Sequence, residues 1–150
     1  MHLPRAAVSL IELLVVLALT SLLAGLALVT LRPGSAERAA RLYLRTVQAA
    51  RIDAVAGRPG AVRWRPDVGA FEVRRGDDPC RAPVVRTLAP EGRVAVTRWL
   101  RAGVAWLPDG GGRGCDGGGV YGGRVRFEDA RAAWDVVVAS TGRLRLERAP

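Results

Sequence analysis

Residues 13–31 read LLVVLALTSLLAGLALVTL, a run of 19 residues without a charged side chain. A helix of that length rises about 1.5 Å per residue and so nearly crosses the ~30 Å hydrocarbon core of a bilayer. Arg5 in front of an apolar run also suits a secretory signal peptide, but Leu31-Arg32-Pro33 follows the run where a small-x-small cleavage site would be expected. The run therefore predicts an uncleaved single-pass anchor with Arg5 on the cytoplasmic side.

Glu12 lies at the membrane end of this run, and a carboxylate carried toward the bilayer centre would cost on the order of 2–3 kcal/mol. In an ordinary single-pass protein its head group would stay in the interfacial water. The neighbouring residues favour a different explanation. Residues 7–17, AVSLIELLVVL, closely resemble the class III signal of type IV pilins and type II secretion pseudopilins, which is a small residue followed by F-T-L-I-E-L-L-V-V-L.

That resemblance implies how the N-terminus is processed and used. Prepilin peptidase would cleave between Ala7 and Val8 and methylate the new amine of Val8, with Ala7 standing where the family usually has Gly and Val8 where it has Phe. Glu12 would then pair with the N-terminal amine of a neighbouring subunit during assembly, since a buried carboxylate is tolerable when an ammonium offsets it. The expected organisation is a leader at 1–7, a transmembrane and assembly helix at 8–31, and an exported domain at 32–150.

The exported part begins with a second helical pattern at residues 36–57. Ser35 is the candidate N-cap after the break at Pro33-Gly34, and Gly57-Arg58-Pro59-Gly60 ends the pattern. Small and apolar residues recur on one face at helical spacing, while arginines occupy another. The apolar face comprises Ala40, Tyr43, Leu44, Val47, Ala50 and Ala54. This pattern predicts a helix that packs on a sheet.

Beyond Gly60 the hydrophobic period changes to two, which is typical of strands. The predicted strands are residues 61–65, 70–74, 93–99, 124–128, 134–139 and 143–147. Together with the pilin resemblance, these elements predict an α+β, pilin-like fold. A long N-terminal helix, membrane-spanning in its first half, would pack on a mostly antiparallel sheet. Gly dominates residues 109–123, where we expect a long loop without regular structure.

Cysteine usage and charge narrow the chemistry. Cys80 and Cys115 have no nearby His with which to close a zinc site, so a disulfide is the expected use in an exported domain, with two unpaired thiols as the alternative. The net charge is +9, from 23 basic and 14 acidic residues, and every basic residue is Arg. A GC-rich genome explains the use of Arg, whereas the excess of positive charge favours nucleic acid, anionic lipid or acidic polysaccharide as partners.

Two further stretches resemble the GspH/FimT group, minor subunits of type II secretion pseudopili and type IV pili. Residues 49–62, AARIDAVAGRPGAV, resemble its A-R-x-x-A-x-x-R-x-x-x-V pattern, which a generic helix followed by a strand would match nearly as well. Residues 141–148, TGRLRLER, contain the G-R-x-R pattern of FimT-type pilins, which bind DNA during natural transformation. On a strand, Arg143 and Arg145 would point the same way, and guanidinium groups suit phosphate oxygens.

The resemblance of the tail implies a minor type IV pilin that binds extracellular DNA. Its DNA-binding residues would be Gly142, Arg143, Arg145 and Arg148. The close pairs Arg63 and Arg65, Arg74 and Arg75, and Arg124 and Arg126 would extend the basic surface. The alternative is a GspH-like minor pseudopilin, a structural component of a type II secretion pseudopilus, in which the tail is a solvated strand. A plain single-pass envelope protein is the third hypothesis.

An enzyme is not expected, because the only histidine is His2, inside the predicted leader. No cofactor is expected either. Solvation is the role assigned to the carboxylates Asp77, Asp78, Glu128, Asp129 and Asp135. The expected partners are DNA, prepilin peptidase, and other pilins or pseudopilins through the N-terminal helix. The expected location is the bacterial inner membrane with the domain in the periplasm, followed by a pilus or a periplasmic pseudopilus.

Overall fold

The computed structural model describes residues 9–30, 33–98, 103–115, 122–139 and 141–150. The chain divides into two units, Met1–Pro33 and Gly34–Pro150. The first contains helix α1 (Leu10–Thr30), and the second contains helix α2 (Ser35–Val55) together with nine strands. The predicted leader, residues 1–7, lies outside the described residues.

Helix α1 exposes apolar side chains on every side. Its five consecutive residues from Leu13 to Leu17, more than one helical turn, are each more than half exposed. Two hydroxyls in this helix find acceptors one turn back, since Thr20 Oγ1 donates to the Val16 carbonyl at 2.9 Å and Ser21 Oγ donates to the Leu17 carbonyl at 2.7 Å. The hydroxyl groups of Thr20 and Ser21 are therefore hydrogen-bonded within the helix itself, on a surface that is otherwise apolar around them.

The described part of the chain contains no helix whose length and mean hydropathy meet the requirement for crossing a membrane. The predicted transmembrane helix, residues 8–31, is described only in part.

Helix α2 buries one face of small and apolar residues, as its sequence pattern predicts. The buried residues are Ala36, Ala39, Ala40, Tyr43, Val47, Ala50 and Ala54. Their spacing of three or four residues defines a continuous stripe. Because most of them are alanines, the helix backbone approaches the strands closely.

The nine strands form two antiparallel sheets. The first, sheet A, has the order β3-β2-β1-β5-β6, and the second, sheet B, has the order β4-β7-β8-β9. The strands of sheet A are β1 (Gly60–Arg65), β2 (Ala70–Arg75), β3 (Val84–Leu88), β5 (Val104–Trp106) and β6 (Gly112–Gly114). The strands of sheet B are β4 (Ala95–Arg98), β7 (Gly123–Glu128), β8 (Ala133–Val138) and β9 (Leu144–Arg148).

Helix α2 packs against strands of both sheets, with Tyr43 at the centre of the shared core. The Tyr43 ring lies 4.7 Å from that of Phe71 on β2 and 5.8 Å from that of Phe127 on β7, measured between centroids. The two phenylalanine rings are themselves 5.8 Å apart. Tilted ring pairs at these separations are favourable beyond the area they bury. One helical side chain thus joins the two sheets.

The architecture differs from the prediction in having two sheets, and in the strands β3, β5 and β6, which were not predicted. Strand β5 is buried at all three positions and so lacks the alternation that marks a half-buried strand. Strand β6 falls in the Gly-rich segment expected to be a loop, and pairing with β5 orders it. A Cβ at Gly112 would lie 3.0 Å from the Trp106 ring, so this strand needs Gly there.

The predicted disulfide is confirmed. Cys80 in the loop 76–83 bonds to Cys115, the residue after β6. This loop folds back on the face of sheet A opposite α2, where the Arg74 guanidinium donates to the Ala82 carbonyl at 3.1 Å. Ala61 and Ala105, which pair in register, are buried although their neighbours Val62 and Trp106 point into the core. Both faces of sheet A are therefore covered at this point.

The N-terminus of α2 is capped by a carboxylate distant in sequence. Gly34 at the N-cap position provides no side-chain bond, and Ser35, predicted as the cap, instead donates from Oγ to Asp129 Oδ2 at 2.8 Å. The Ala36 amide donates to the same oxygen at 2.8 Å. Asp129 Oδ1 accepts from the amides of Arg131 at 2.8 Å and Ala132 at 3.0 Å, in the turn between β7 and β8.

Asp129 was expected only to be solvated, and that interpretation is wrong. The backbone amides of Ala36 and Arg131 hold the pKa of its carboxyl far below its ordinary value, with the Ser35 hydroxyl adding to the effect. The positive N-terminal end of the α2 dipole also stabilises the negative charge of Asp129. This one side chain therefore connects sheet B to the start of α2.

Substituting Asp129→Ala removes four accepted hydrogen bonds, and we expect it to lower the free energy of unfolding by roughly 1–2 kcal/mol, as loss of a strong helix cap does. Urea denaturation followed by circular dichroism measures the change. Asp77→Ala is the matched control, because Asp77 is an exposed loop carboxylate. Equal stability of the two variants would contradict the capping role.

Wild type and the Asp129→Ala variant also test whether the ionised form of Asp129 is the stabilising one. A depressed pKa in the folded state means that Asp129 stabilises above its unfolded pKa of about 3.9 and loses this contribution as the pH falls toward the folded value. The stability difference between wild type and Asp129→Ala should therefore shrink between about pH 5 and about pH 2. A difference that is independent of pH would exclude the ionised carboxylate as its cause.

Candidate interaction surface

A groove lies between the C-terminal part of α2 and the residues that lead into β9. It has a volume of about 710 Å³. Its lining residues are Gln48, Arg51, Ile52, Val55, Thr141, Arg143 and Leu144. Ile52 is 70% exposed and Val55 is 60% exposed, although both belong to a helix whose other face is in the core. We call this the α2–β9 groove.

Arg51 ties the end of α2 to the turn before β9. One guanidinium nitrogen donates to the Gly142 carbonyl at 3.0 Å, and the guanidinium carbon lies 5.5 Å from the centroid of the fully buried Trp106 ring. Stacking of a cation on an indole in this way is favourable. Gly142 has φ of +78°, and a Cβ there would lie 3.2 Å from the Trp106 ring. Glycine at this position is thus required by packing and backbone conformation.

The arginines predicted to bind DNA are placed in different settings. Arg143 is exposed and lines the α2–β9 groove. Arg145, on β9, is 54% exposed and forms an ion pair with Glu147 at 3.3 Å. Arg148 is exposed at the end of the strand. Leu144 and Leu146 pack against the core, as the alternation predicts, so Arg145, which lies between them, faces outward.

Several arginines that were expected to extend the basic surface form ion pairs with carboxylates of the same chain. Arg126 binds Asp135 through two nitrogens, each at 2.9 Å, and Arg124 binds the same carboxylate at 3.0 Å. In sheet A, Arg65 pairs with Asp67 and Glu72, Arg74 pairs with Glu72, and Arg75 pairs with Asp53. These pairs reduce the charge that is available to an external anion.

Asp135 was also expected to be a solvated carboxylate, and it is instead 1% exposed. The hydrogen bonds from Arg126 lower the pKa of its carboxyl despite burial. The sequence shows Arg124 and Arg126 at alternating positions, but it does not show which carboxylate lies opposite them. Arg124 and Arg126 point to one face of β7, and Asp135 lies directly opposite Arg126 on β8. Cross-strand register was needed to recognise the triad.

The motif residues at the end of α2 also have structural contacts. Asp53 accepts from Arg58 at 3.0 Å and contacts Arg75 of β2. Val62 is fully buried in the core. Arg51, Asp53 and Arg58 thus fix the helix end to both sheets and to the following turn. The pattern that resembles the GspH/FimT group is therefore occupied by residues that hold the domain together.

Of the three residues assigned to processing and assembly, only Glu12 is described. It lies in the first turn of α1 and is exposed, and the Ile11 amide in the same turn donates to Ser9 Oγ at 3.3 Å. The predicted cleavage site, Ala7 and Val8, lies outside the described residues. Cleavage, methylation of Val8 and the assembly contact of Glu12 remain predictions.

No family model matches the sequence, and no curated protein matches it. Among solved structures, the chain is similar to the minor pseudopilin EpsH from the type 2 secretion system of Vibrio cholerae, with a TM-score of 0.57. The likeness covers 77% of this chain and 98% of that chain, at 13% sequence identity. At this identity the comparison bears on the fold, and it confirms the predicted pilin-like α+β arrangement. The chain therefore has the fold of a minor pseudopilin.

Proposed function

We propose that this protein is a GspH-like minor pseudopilin, a structural and non-catalytic component of a type II secretion pseudopilus. The proposal rests on the observation that two features occur in the same chain. The exported part has the fold of a minor pseudopilin, and α1 is exposed and apolar on every side. Burying a single Leu or Val side chain stabilises by about 1.5–3 kcal/mol, so α1 gains strongly from an apolar environment.

In this proposal the environment of α1 changes as the subunit is used. The inner membrane surrounds the helix before assembly, with the domain on the periplasmic side, and the helices of neighbouring subunits surround it in the filament. Cleavage between Ala7 and Val8 by prepilin peptidase supplies a free ammonium. In the proposed filament, that ammonium pairs with Glu12 of a neighbouring subunit, a residue that is exposed in the first turn of α1.

The α2–β9 groove supports a role in protein contacts. Ile52 and Val55 are among the most exposed apolar side chains of the exported unit, and they flank Arg51 and Arg143. An apolar surface of this kind gains from contact with another protein, whereas a phosphate backbone offers it nothing to pack against. This favours the pseudopilin over a protein that captures nucleic acid.

A second candidate is the DNA-binding minor type IV pilin of natural transformation. The supporting observation is that Arg143 and Arg148 are exposed beside β9 in a chain of net charge +9. Arg145 would have to exchange Glu147 for a phosphate, and the partly exposed Arg124 and Arg126 are held by Asp135. The number of arginines free to bind DNA is therefore smaller than the sequence suggests.

Glu12→Ala tests the assembly role. We expect this variant to reach the membrane in normal amounts but to fall at least about tenfold in crosslinked complexes with neighbouring subunits, because the neighbour's ammonium loses its partner. Immunoblots of the membrane fraction before and after crosslinking in intact cells provide the measurement. Glu91→Ala, at an exposed turn residue, is the control and should assemble normally. Normal incorporation of Glu12→Ala would overturn the assembly contact.

Duplex DNA binding by the full chain in non-ionic detergent, titrated against salt, tests the second candidate. If Arg143 and Arg145 contact phosphates, changing both to Ala should weaken binding and reduce the slope of log K against log salt by about 2. Arg93→Ala with Arg98→Ala, two exposed arginines at the other side of sheet B, is the matched control. No DNA binding by wild type, or an equal effect of both double variants, would eliminate the candidate.

A further inference from the structure

The four strands at the sheet edges differ in how well they are protected against pairing with another chain. Strand β9 carries charged side chains, strand β4 has four residues, and strand β6 has three, two of them glycine. Charge and short length both discourage strand addition. Strand β3 carries a single charged side chain, Arg86, and its pairing with β2 has one irregularity, at Val73/Arg74, but Val84 is 41% exposed and Val85 is 53% exposed. Within the described part of the chain, β3 is the edge strand that is five residues long and also exposes apolar side chains.

Strand β3 also forms one wall of a groove beside α2. The groove has a volume of about 510 Å³. Its rim and walls include Leu42, Arg45 and Ala49 of α2 and Val85, Arg86 and Leu88 of β3. The buried side chains of Ala50 and Val73 form its floor. We call this the α2–β3 groove. It offers an apolar floor next to an open backbone edge.

The α2–β3 groove carries positive charge that an acidic ligand can reach. Arg45 and Arg86 are exposed on opposite walls, and neither forms an ion pair within the described residues. Arg75, at one end, is held by Asp53. A second copy of this chain would bring another net charge of +9 to the same surface, which electrostatic repulsion disfavours. Complementarity therefore selects an acidic occupant.

We propose that the α2–β3 groove binds an extended acidic segment of another protein, which adds as a strand to the free edge of β3. Backbone hydrogen bonds to β3 supply a share of the affinity that does not depend on sequence. Alternate side chains of the added strand point into the groove, so apolar ones meet Leu42 and Val85 and acidic ones meet Arg45 and Arg86. The inference does not depend on the filament role, because it uses only contacts within the exported unit.

The test uses a fluorescent, capped peptide of about eight residues with the repeat Thr-Val-Thr-Glu, which places valine and glutamate on the same face of a strand, and a matched peptide with lysine in place of glutamate. Fluorescence anisotropy with the full chain in non-ionic detergent at low salt measures affinity. We expect the glutamate peptide to bind at least about ten times more tightly than the lysine peptide. The double variant Arg45→Glu with Arg86→Glu should remove that preference, while Arg98→Glu on edge strand β4 should retain it.

Hydrogen–deuterium exchange locates the bound peptide independently of the variants. The glutamate peptide should slow exchange in Val84–Leu88, because an added strand protects the edge amides. Equal binding of the two peptides, or protection confined to β9 or β4, would overturn the proposal. Self-association of the chain that Arg86→Glu abolishes would also overturn it, since the occupant would then be a second copy.

Discussion

The carboxylate of Asp129 is the contact on which the unit Gly34–Pro150 depends most. It accepts hydrogen bonds from the start of α2 and from its own turn, so it fixes the helix to sheet B at the point where the helix begins. A helix that starts at that point and runs across both sheets places Tyr43 between Phe71 and Phe127. The start of this helix is thus fixed by one ionised side chain, and two of its four hydrogen-bond partners, Ser35 and Ala36, lie more than 90 residues away in sequence.

The other end of α2 is fixed by arginines. Arg51 donates a hydrogen bond to the turn before β9 and stacks on Trp106, while Asp53 forms ion pairs with Arg58 and Arg75. These contacts explain why a strongly basic chain has less free positive charge than its composition indicates. They also leave the two flanks of α2 open, one beside β9 and one beside β3. The fold therefore provides two lateral surfaces of different character on the same helix.

Much of the fold could be predicted from the sequence because local patterns determine it. The stripe from Ala40 to Ala54 predicts α2, and period-two alternation predicts six of the nine strands that the structure describes. Strands β3, β5 and β6 break that pattern, since β3 is exposed, β5 is buried throughout, and β6 consists largely of glycine. The roles of Asp129 and Asp135 required tertiary register, which no local pattern contains. The grooves were missed because Ile52, Val55 and Val85 become notable only when their exposure is known.

In the proposed pseudopilin, the pilin-like domain follows an N-terminal helix that is processed, methylated and packed among like helices. Intact-mass analysis of the protein purified from membranes of cells that contain prepilin peptidase tests this most directly. We expect a mature chain that begins at N-methylated Val8, and an unprocessed precursor when the peptidase is absent. A protein that retains Met1 in the presence of active peptidase would contradict it, and the chain would then be a single-pass envelope protein with a pilin-like domain.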